Sequence, residues 1–134
     1  MLRLIALALL SFSALIVYEV GGAQEAKSEA AKDLKKLQGE WIFKGVERTT
    51  TYTVKGNEYT FDFMGKPSKV TFKIDAAKEP KHIDLTGPRG TVRMGIYKLE
   101  GDTLIICTGN SARPTDFKAI QGESGMMVWK RTTK

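Results

Sequence analysis

The chain has 134 residues, with 21 Lys and Arg against 15 Asp and Glu, for a formal net charge of +6. This surplus favours solubility and weak attraction to anionic surfaces, but the basic residues are spread along the chain and form no run typical of nucleic-acid binding. One cysteine excludes an internal disulfide, and one histidine with one distant cysteine cannot make a zinc site without recruiting several carboxylates.

The first 23 residues predict a secretory signal peptide. Arg3 supplies a positive start, Leu4 to Val17 form an apolar run broken by two serines, and Gly21-Gly22-Ala23 ends the segment with small residues. A retained membrane anchor is the alternative, but Glu19 stops the run short of the roughly 20 apolar residues that cross a bilayer. We therefore expect cleavage after Ala23, and an exported protein, periplasmic or extracellular, that does not span the membrane.

The rest of the chain divides into a short helical segment and one β domain. Gln24 to Gln38 is rich in Ala, Glu and Lys and places Ala30, Leu34 and Leu37 at helical spacing, which predicts a tail followed by a short amphipathic helix. Residues 39–134 follow a different pattern and are long enough for a single core.

From Gly39 onward, apolar residues alternate with polar ones, a period of two that is typical of half-buried strands. The predicted strands are, in chain order, Gly39–Lys44, Thr51–Val54, Glu58–Met64, Lys69–Asp75, Lys81–Thr86, Val92–Glu100, Thr103–Thr108, a short strand around Thr115–Ala119, and Met126–Arg131.

Short turns separate these strands. Gly101-Asp102, for example, predicts a tight hairpin, and none of the connections has room for a crossover helix, so neighbouring strands are antiparallel. The fold class predicted is all-β, an antiparallel up-and-down meander of about eight strands. Such a meander can stay an open sheet, fold into a sandwich, or close into a barrel that holds side chains or one small ligand.

Gly39, Trp41 and Arg131 favour closure into a barrel. If the first and last strands are neighbours, the Arg131 guanidinium can lie across the Trp41 indole, a cation–π contact of about 0.5 to 2 kcal/mol. The alternative is a solvated terminal arginine and an ordinary core tryptophan. We predict the paired arrangement, in which these three residues clasp the two terminal strands together.

Several motifs between Leu34 and Arg131 together resemble those of a known family of small domains. The connection between Glu47 and Thr51 departs from the pattern of that family. The motifs are Leu37-Gln38-Gly39-Glu40-Trp41, Phe72-Lys73-Ile74-Asp75, Pro80-Lys81-His82-Ile83-Asp84-Leu85, Gly95-Ile96-Tyr97-Lys98-Leu99-Glu100-Gly101-Asp102-Thr103-Leu104, Arg113-Pro114-Thr115-Asp116-Phe117 and Lys130-Arg131.

The opening Gly39-x-Trp41 with a late arginine is similar to the lipocalin and calycin pattern. The whole set of motifs resembles a small lipocalin-like domain family that is abundant in planctomycete bacteria. The resemblance implies a lipocalin-like barrel and a family without an established biochemical activity. The Glu47–Thr51 connection is shorter than usual for that family, which implies a trimmed loop at the barrel mouth.

The motif Arg113–Phe117 lies in a loop, where ligand-binding residues are common. A structural interpretation is favoured, in which Phe117 packs on the core and Arg113 pairs with an acid such as Asp116 or Asp102.

No group of residues predicts catalysis. His82 and Asp84 fall on one strand face with no nucleophile paired to them in sequence, and Cys107 at the end of an apolar run is interpreted as a small buried hydrophobe. Gly87-Pro88-Arg89-Gly90 opens no helix and predicts a turn instead of a phosphate cradle. We expect a protein that is not an enzyme and has no metal or cofactor.

Two functions outside catalysis fit the sequence. The first is binding of a small apolar or amphipathic molecule inside the barrel, lined by Phe61, Phe63, Phe72 and Tyr97, although the same aromatic residues can fill the interior completely. The alternative is a ligand-free interaction module that contacts an envelope protein or an anionic polymer through its basic exterior and loops.

Overall fold

The computed structural model describes residues 18–132, with side chains from residue 27 onward. One helix precedes eight strands in the described chain. The helix is α1 (Tyr18–Leu37), and the strands are β1 (Gly39–Lys44), β2 (Thr49–Lys55), β3 (Glu58–Phe63), β4 (Lys66–Asp75), β5 (Lys81–Thr86), β6 (Val92–Glu100), β7 (Thr103–Gly109) and β8 (Ser124–Arg131).

The eight strands form a closed antiparallel barrel in chain order, with β8 paired back onto β1. The predicted fold class is therefore confirmed. Three residue pairs make the closing seam: Trp41 opposite Arg131, Ile42 opposite Lys130 and Phe43 opposite Trp129. Closure gives the first and last strands a partner on each side and so removes the two long edges that an open sheet would expose.

The connections between antiparallel strands alternate between the two ends of the barrel. One end, called the closed end, has α1 beside it and carries the connections 56–57, 76–80 and 101–102. The opposite end, called the mouth, carries the connections 45–48, 64–65, 87–91 and 110–123.

The helix is longer than the sequence predicts. α1 runs from Tyr18 to Leu37, whereas the sequence predicts a tail from Gln24 followed by a short helix. Residues 1–17, which make up most of the predicted signal peptide, lie outside the described residues, and cleavage after Ala23 stays a prediction. Of the helices that the structure describes, none is both long and apolar enough to cross a membrane.

Hydrophobic and polar contacts hold the end of α1 against the closed end. Leu37 is buried in the barrel core, with the partly buried Leu34 packed beside it. The Gln38 side chain then makes two hydrogen bonds to the β2–β3 turn: its Nε2 donates to the Gly56 carbonyl at 2.9 Å, and the Gly56 N–H donates to its Oε1 at 2.7 Å. The end of the helix is thereby fixed to a specific hairpin.

A buried carboxylate makes a further polar link between α1 and the barrel. Asp33 is 2% exposed, and its Oδ2 accepts hydrogen bonds from Lys81 Nζ at 2.8 Å and from the Tyr97 hydroxyl at 2.7 Å. A buried charge is tolerated only when it is paired and hydrogen-bonded, and Asp33 meets both conditions.

Side chains fill the barrel interior. A cavity of about 10 Å³ lies among them, roughly the smallest space that holds one water molecule. The buried residues that form the core are Leu37, Trp41, Tyr52, Val54, Tyr59, Val70, Phe72, Ile83, Leu85, Tyr97, Leu104, Ile106 and Trp129.

The prediction of a short strand around Thr115–Ala119 is wrong. Residues 110–123 are irregular apart from one isolated bridge between Ile120 and Ser124. The segment covers β7 instead of pairing as a strand. Its contacts with Cys107 show this: the carbonyls of Asp116 and Lys118 lie 3.7 and 3.4 Å from the Cys107 sulfur. Cys107 is fully buried under this cover, as predicted.

Candidate functional site

Trp41 and Arg131 meet at the seam between the terminal strands. The Arg131 guanidinium carbon lies 4.2 Å from the centre of the Trp41 ring, within cation–π range. The same guanidinium donates to the carbonyls of Gln38, at 2.9 Å, and Lys36, while Trp41 Nε1 donates to the Leu37 carbonyl at 2.8 Å. Both side chains therefore bond to the carbonyl end of α1 and tie the helix to the seam.

Gly39 completes this clasp through its backbone conformation. Its φ is +111°, a region that residues with a side chain rarely adopt, while a Cβ at this position would be 3.4 Å from Arg131 Nη1, an ordinary contact distance. The glycine is thus required for the bend between α1 and β1 more than for space.

We expect Arg131→Ala to lower the free energy of unfolding by about 1 to 2 kcal/mol, because the cation–π contact and the bonds to the helix end are lost. Urea denaturation measures the change. Asp102→Ala is the matched control: Asp102 is the acid 3.5 Å from Arg131 Nε, but its side chain is 78% exposed, so a change below about 0.5 kcal/mol is expected. Equal stability of Arg131→Ala and wild type would contradict the clasp.

The four residues predicted to line an interior ligand pocket do not surround one cavity. Phe72 and Tyr97 are buried among the core side chains, and the Tyr97 hydroxyl is bonded to Asp33. Phe61 is half-buried near the mouth, and Phe63, two residues further along β3, is 59% exposed. Only Phe61 and Phe63 share a surface.

That surface is a depression of about 640 Å³ at the mouth, between the β1–β2 hairpin and the end of β3. Val46 is fully exposed and Met64 is 69% exposed, so apolar side chains stand beside the depression as well as on its floor. We call the six apolar residues of this depression the mouth site: Phe43, Val46, Tyr52, Phe61, Phe63 and Met64.

Stacked aromatic rings support the floor of the mouth site. The Tyr52 ring lies on the Trp129 indole, with 4.1 Å between centroids and 11° between planes, and the Phe61 ring is 5.2 Å from Tyr52. Tyr59 meets Trp129 edge-on at 5.2 Å. Aromatic packing of this kind gives the floor a fixed shape.

Trp129 carries an unpaired buried donor beneath this floor. The residue is 1% exposed, and its Nε1 has no hydrogen-bond partner among the described atoms. Trp129 also lines the cavity of about 10 Å³, so one water molecule beside the indole is all that the space allows.

Burial raises the pKa of Tyr52, Tyr59 and Tyr97 above the ordinary value of 10.0. The neighbouring Tyr52 raises the pKa of Tyr59 further, and the hydrogen bond to Asp33 adds to the effect of burial at Tyr97. The hydroxyls of these three tyrosines therefore stay protonated and neutral over the physiological range.

The raised pKa values predict a loss of stability above about pH 10. In the unfolded chain the tyrosines release their protons near this pH, whereas the folded protein retains them, so the free energy of unfolding falls as pH rises. Urea denaturation between about pH 8 and pH 11 measures the slope. Tyr97→Phe removes one of the three groups and should reduce that slope; an unchanged slope would contradict the prediction.

Arg113 has a different partner from the two predicted acids. Its Nη2 donates to Asp84 Oδ1 at 2.7 Å, and its Nη1 donates to the Gly95 carbonyl at 2.7 Å, so the prediction of Asp116 or Asp102 is wrong. The loop folds back over β5 and β6, which brings Asp84 to Arg113. Lys98 lies over the half-buried Phe117 ring, with its Nζ 4.7 Å from the centroid.

Two of the polar groups considered above for chemistry, Asp84 and Cys107, are engaged by other parts of the chain. Asp84 is occupied by Arg113, and Cys107 is covered by backbone carbonyls. In the part of the chain that the structure describes, no three His, Cys, Asp or Glu side chains are grouped closely enough to hold a metal ion. No protein-family model, curated protein or solved structure matches the chain.

The sequence does not single out Tyr52, Trp129 or Asp33 as site residues. The alternation in Thr51-Tyr52-Thr53-Val54 is a signal that could have placed Tyr52 inside the barrel. Asp33 gave no such signal, because an acid among helical lysines is ordinarily solvent-exposed.

Proposed function

We propose that the protein is an exported, non-enzymatic member of the lipocalin-like family that it resembles, and that it binds a small apolar or amphipathic molecule at the barrel mouth. The observation that carries the proposal is the aromatic floor of the mouth site beneath a depression of about 640 Å³. Apolar and aromatic walls with a few polar groups beside them are typical of small-molecule sites.

The filled core supports the mouth as the place of binding. A cavity of about 10 Å³ has no room for an organic molecule, whereas the mouth site is open to solvent. The ligand would rest on Tyr52 and Phe61, with Phe63 and Met64 against its side. Binding would then bury apolar side chains that the free protein exposes.

The rim of the depression supports an amphipathic ligand over a pure hydrocarbon. Glu47 and Arg48 are exposed in the β1–β2 loop beside the apolar floor. A molecule with an apolar body and a polar end would place the body on the aromatic rings and the polar end between these charges.

Two observations support a function without catalysis. Cys107, the single cysteine of the chain, is fully buried beneath the 110–123 segment. Asp84, the acid nearest in sequence to His82, is engaged by Arg113. Neither group is presented to a ligand at the mouth.

Fluorescence titration with the amphipathic probe 1-anilinonaphthalene-8-sulfonate tests the proposal. We expect saturable binding that Met64→Gln weakens by about fivefold to tenfold, because apolar contact area is lost. Met94→Gln, which alters an exposed methionine on β6 outside the mouth site, is the matched control and should leave the Kd within twofold. Absence of saturable binding, or equal effects of the two variants, would reject the mouth site.

The alternative function is a ligand-free module that contacts an envelope protein or an anionic polymer. It depends on the net charge of +6. Retention on an anionic polymer that weakens with salt would support it, and retention by Met64→Gln equal to wild type would separate it from the mouth site.

A further inference from the structure

The barrel is split at the mouth between β2 and β3. The ladder between these strands has three pairs and ends at Thr53 opposite Thr60. Both strands continue beyond that point, β2 to Thr49 and β3 to Phe63, with partners only on their other sides. The rings of Tyr52 and Phe61 still meet across the split at 5.2 Å, but their backbones do not pair.

The two hairpins of β3 determine which backbone groups face this split. Lys55 pairs with Glu58 and Phe63 pairs with Lys66 across two-residue turns, so both are hydrogen-bonded pairs. The backbone N–H and C=O groups of successive residues in a strand point alternately to its two neighbouring strands. Because Phe63 bonds to β4, the backbone of Phe61 bonds to β4 as well. The N–H and C=O of Asp62, between them, are directed into the split.

The same alternation applies on the β2 side. The Thr132 N–H donates to the Glu40 carbonyl at 3.1 Å, so the backbone groups of Glu40 point to the β8 side of β1. By alternation, the other even-numbered residues of β1 also point to β8, and the backbone groups of Trp41 and Phe43 point to β2. On β2, Tyr52 accordingly bonds towards β1, and the backbone groups of Thr51 face β3. Each wall of the split thus carries unpaired donors and acceptors beside the mouth site.

We infer that the ligand of the mouth site is a short amphipathic peptide, which binds in extended form beside β3, pairs with the backbone of Asp62 and places an apolar side chain on the aromatic floor. This inference rests on the proposed function and specifies its ligand class. Unpaired backbone groups at a sheet edge are a template for an incoming strand, and alternate side chains of such a strand face the same side. A ligand without amide groups would leave these donors and acceptors to water.

A backbone-methylated peptide tests the inference on the unaltered protein. The probe is a fluorescein-labelled heptapeptide in which threonine alternates with valine and phenylalanine, compared with two versions N-methylated on alternate amides. Methylation of the amides that face β3 should raise the Kd by about tenfold, because the peptide N–H that donates to the Asp62 carbonyl is lost. Methylation of the opposite amides should have a much smaller effect, and equal effects would overturn the inference.

Asp62→Pro provides the reciprocal test, since it removes the N–H that faces the split and leaves the β3–β4 bonds of Phe61 and Phe63 in place. We expect it to weaken peptide binding about tenfold more than Asp62→Ala, which retains the N–H. Circular dichroism verifies that both variants are folded. Equal peptide affinities of the two variants would overturn the inference.

The outcomes separate this inference from the proposed function. Binding of 1-anilinonaphthalene-8-sulfonate without binding of any peptide would overturn the inference and leave the proposed function standing. Absence of both would reject the two together. Sedimentation could instead show a concentration-dependent dimer that Asp62→Pro abolishes. That result would assign the edge of β3 to a second copy of the chain and overturn the inference that a peptide binds there.

Discussion

Trp41→Ala is expected to lower the free energy of unfolding by roughly 3 to 5 kcal/mol, as large aromatic truncations in cores do. Trp41 is fully buried, stacks under Arg131 and donates to the Leu37 carbonyl, so one substitution removes core packing, a cation–π contact and a helix tie. Urea denaturation monitored by circular dichroism measures the change. At the usual stability of a small domain, this loss leaves a substantial unfolded fraction.

Trp41→Phe separates packing from hydrogen bonding. Phenylalanine retains an aromatic ring under Arg131 but lacks the N–H donor to Leu37, and we expect a loss of about 1 to 2 kcal/mol. A loss below 1 kcal/mol for Trp41→Ala would show that the tryptophan does not hold the terminal strands together.

Asp33→Ala is expected to lower the free energy of unfolding by about 3 kcal/mol, because breaking a buried ion pair leaves its partners unsatisfied. The substitution strands the Tyr97 hydroxyl inside the protein, whereas Lys81, with a side chain that is 32% exposed, can regain water. The expected loss is therefore at the low end of the range for buried pairs. Chemical denaturation with tryptophan fluorescence measures it.

Two further variants make the Asp33 prediction specific. Glu29→Ala removes another ion-paired acid from the same helix, but its partner Lys32 and Glu29 itself are largely exposed, so a change below about 0.5 kcal/mol is expected. Tyr97→Phe added to Asp33→Ala removes the stranded hydroxyl and should recover part of the loss. If the double variant is no more stable than Asp33→Ala, the Tyr97 hydroxyl is not the source of the cost.

The fold could be predicted from sequence because its signals are local. Alternation identified eight strands, and short turns such as Gly101-Asp102 required antiparallel neighbours. The segment Thr115–Ala119, which the sequence predicts as a short strand, forms none. Its backbone is instead occupied with covering Cys107, a contact that no local pattern encodes.

The site was less predictable, since it depends on how side chains and strands meet in space. Whether Phe72 and Tyr97 line a cavity or fill it is a question of summed volumes across the barrel, and the structure has them in the filled core. The sequence does not predict that the β2–β3 ladder ends at Thr53 either, because β2 itself continues as a strand as far as Thr49.

The seam between β1 and β8 also determines when the protein can finish folding. Trp41 and Arg131 belong to the first and last strands, so their contact closes a loop that contains nearly the whole domain, and such contacts form late. Until β8 has been synthesised, β1 and β7 are both open edges, which are templates for aggregation. Pairing of β8 with β1 therefore both completes the ring and ends the exposure of these open edges.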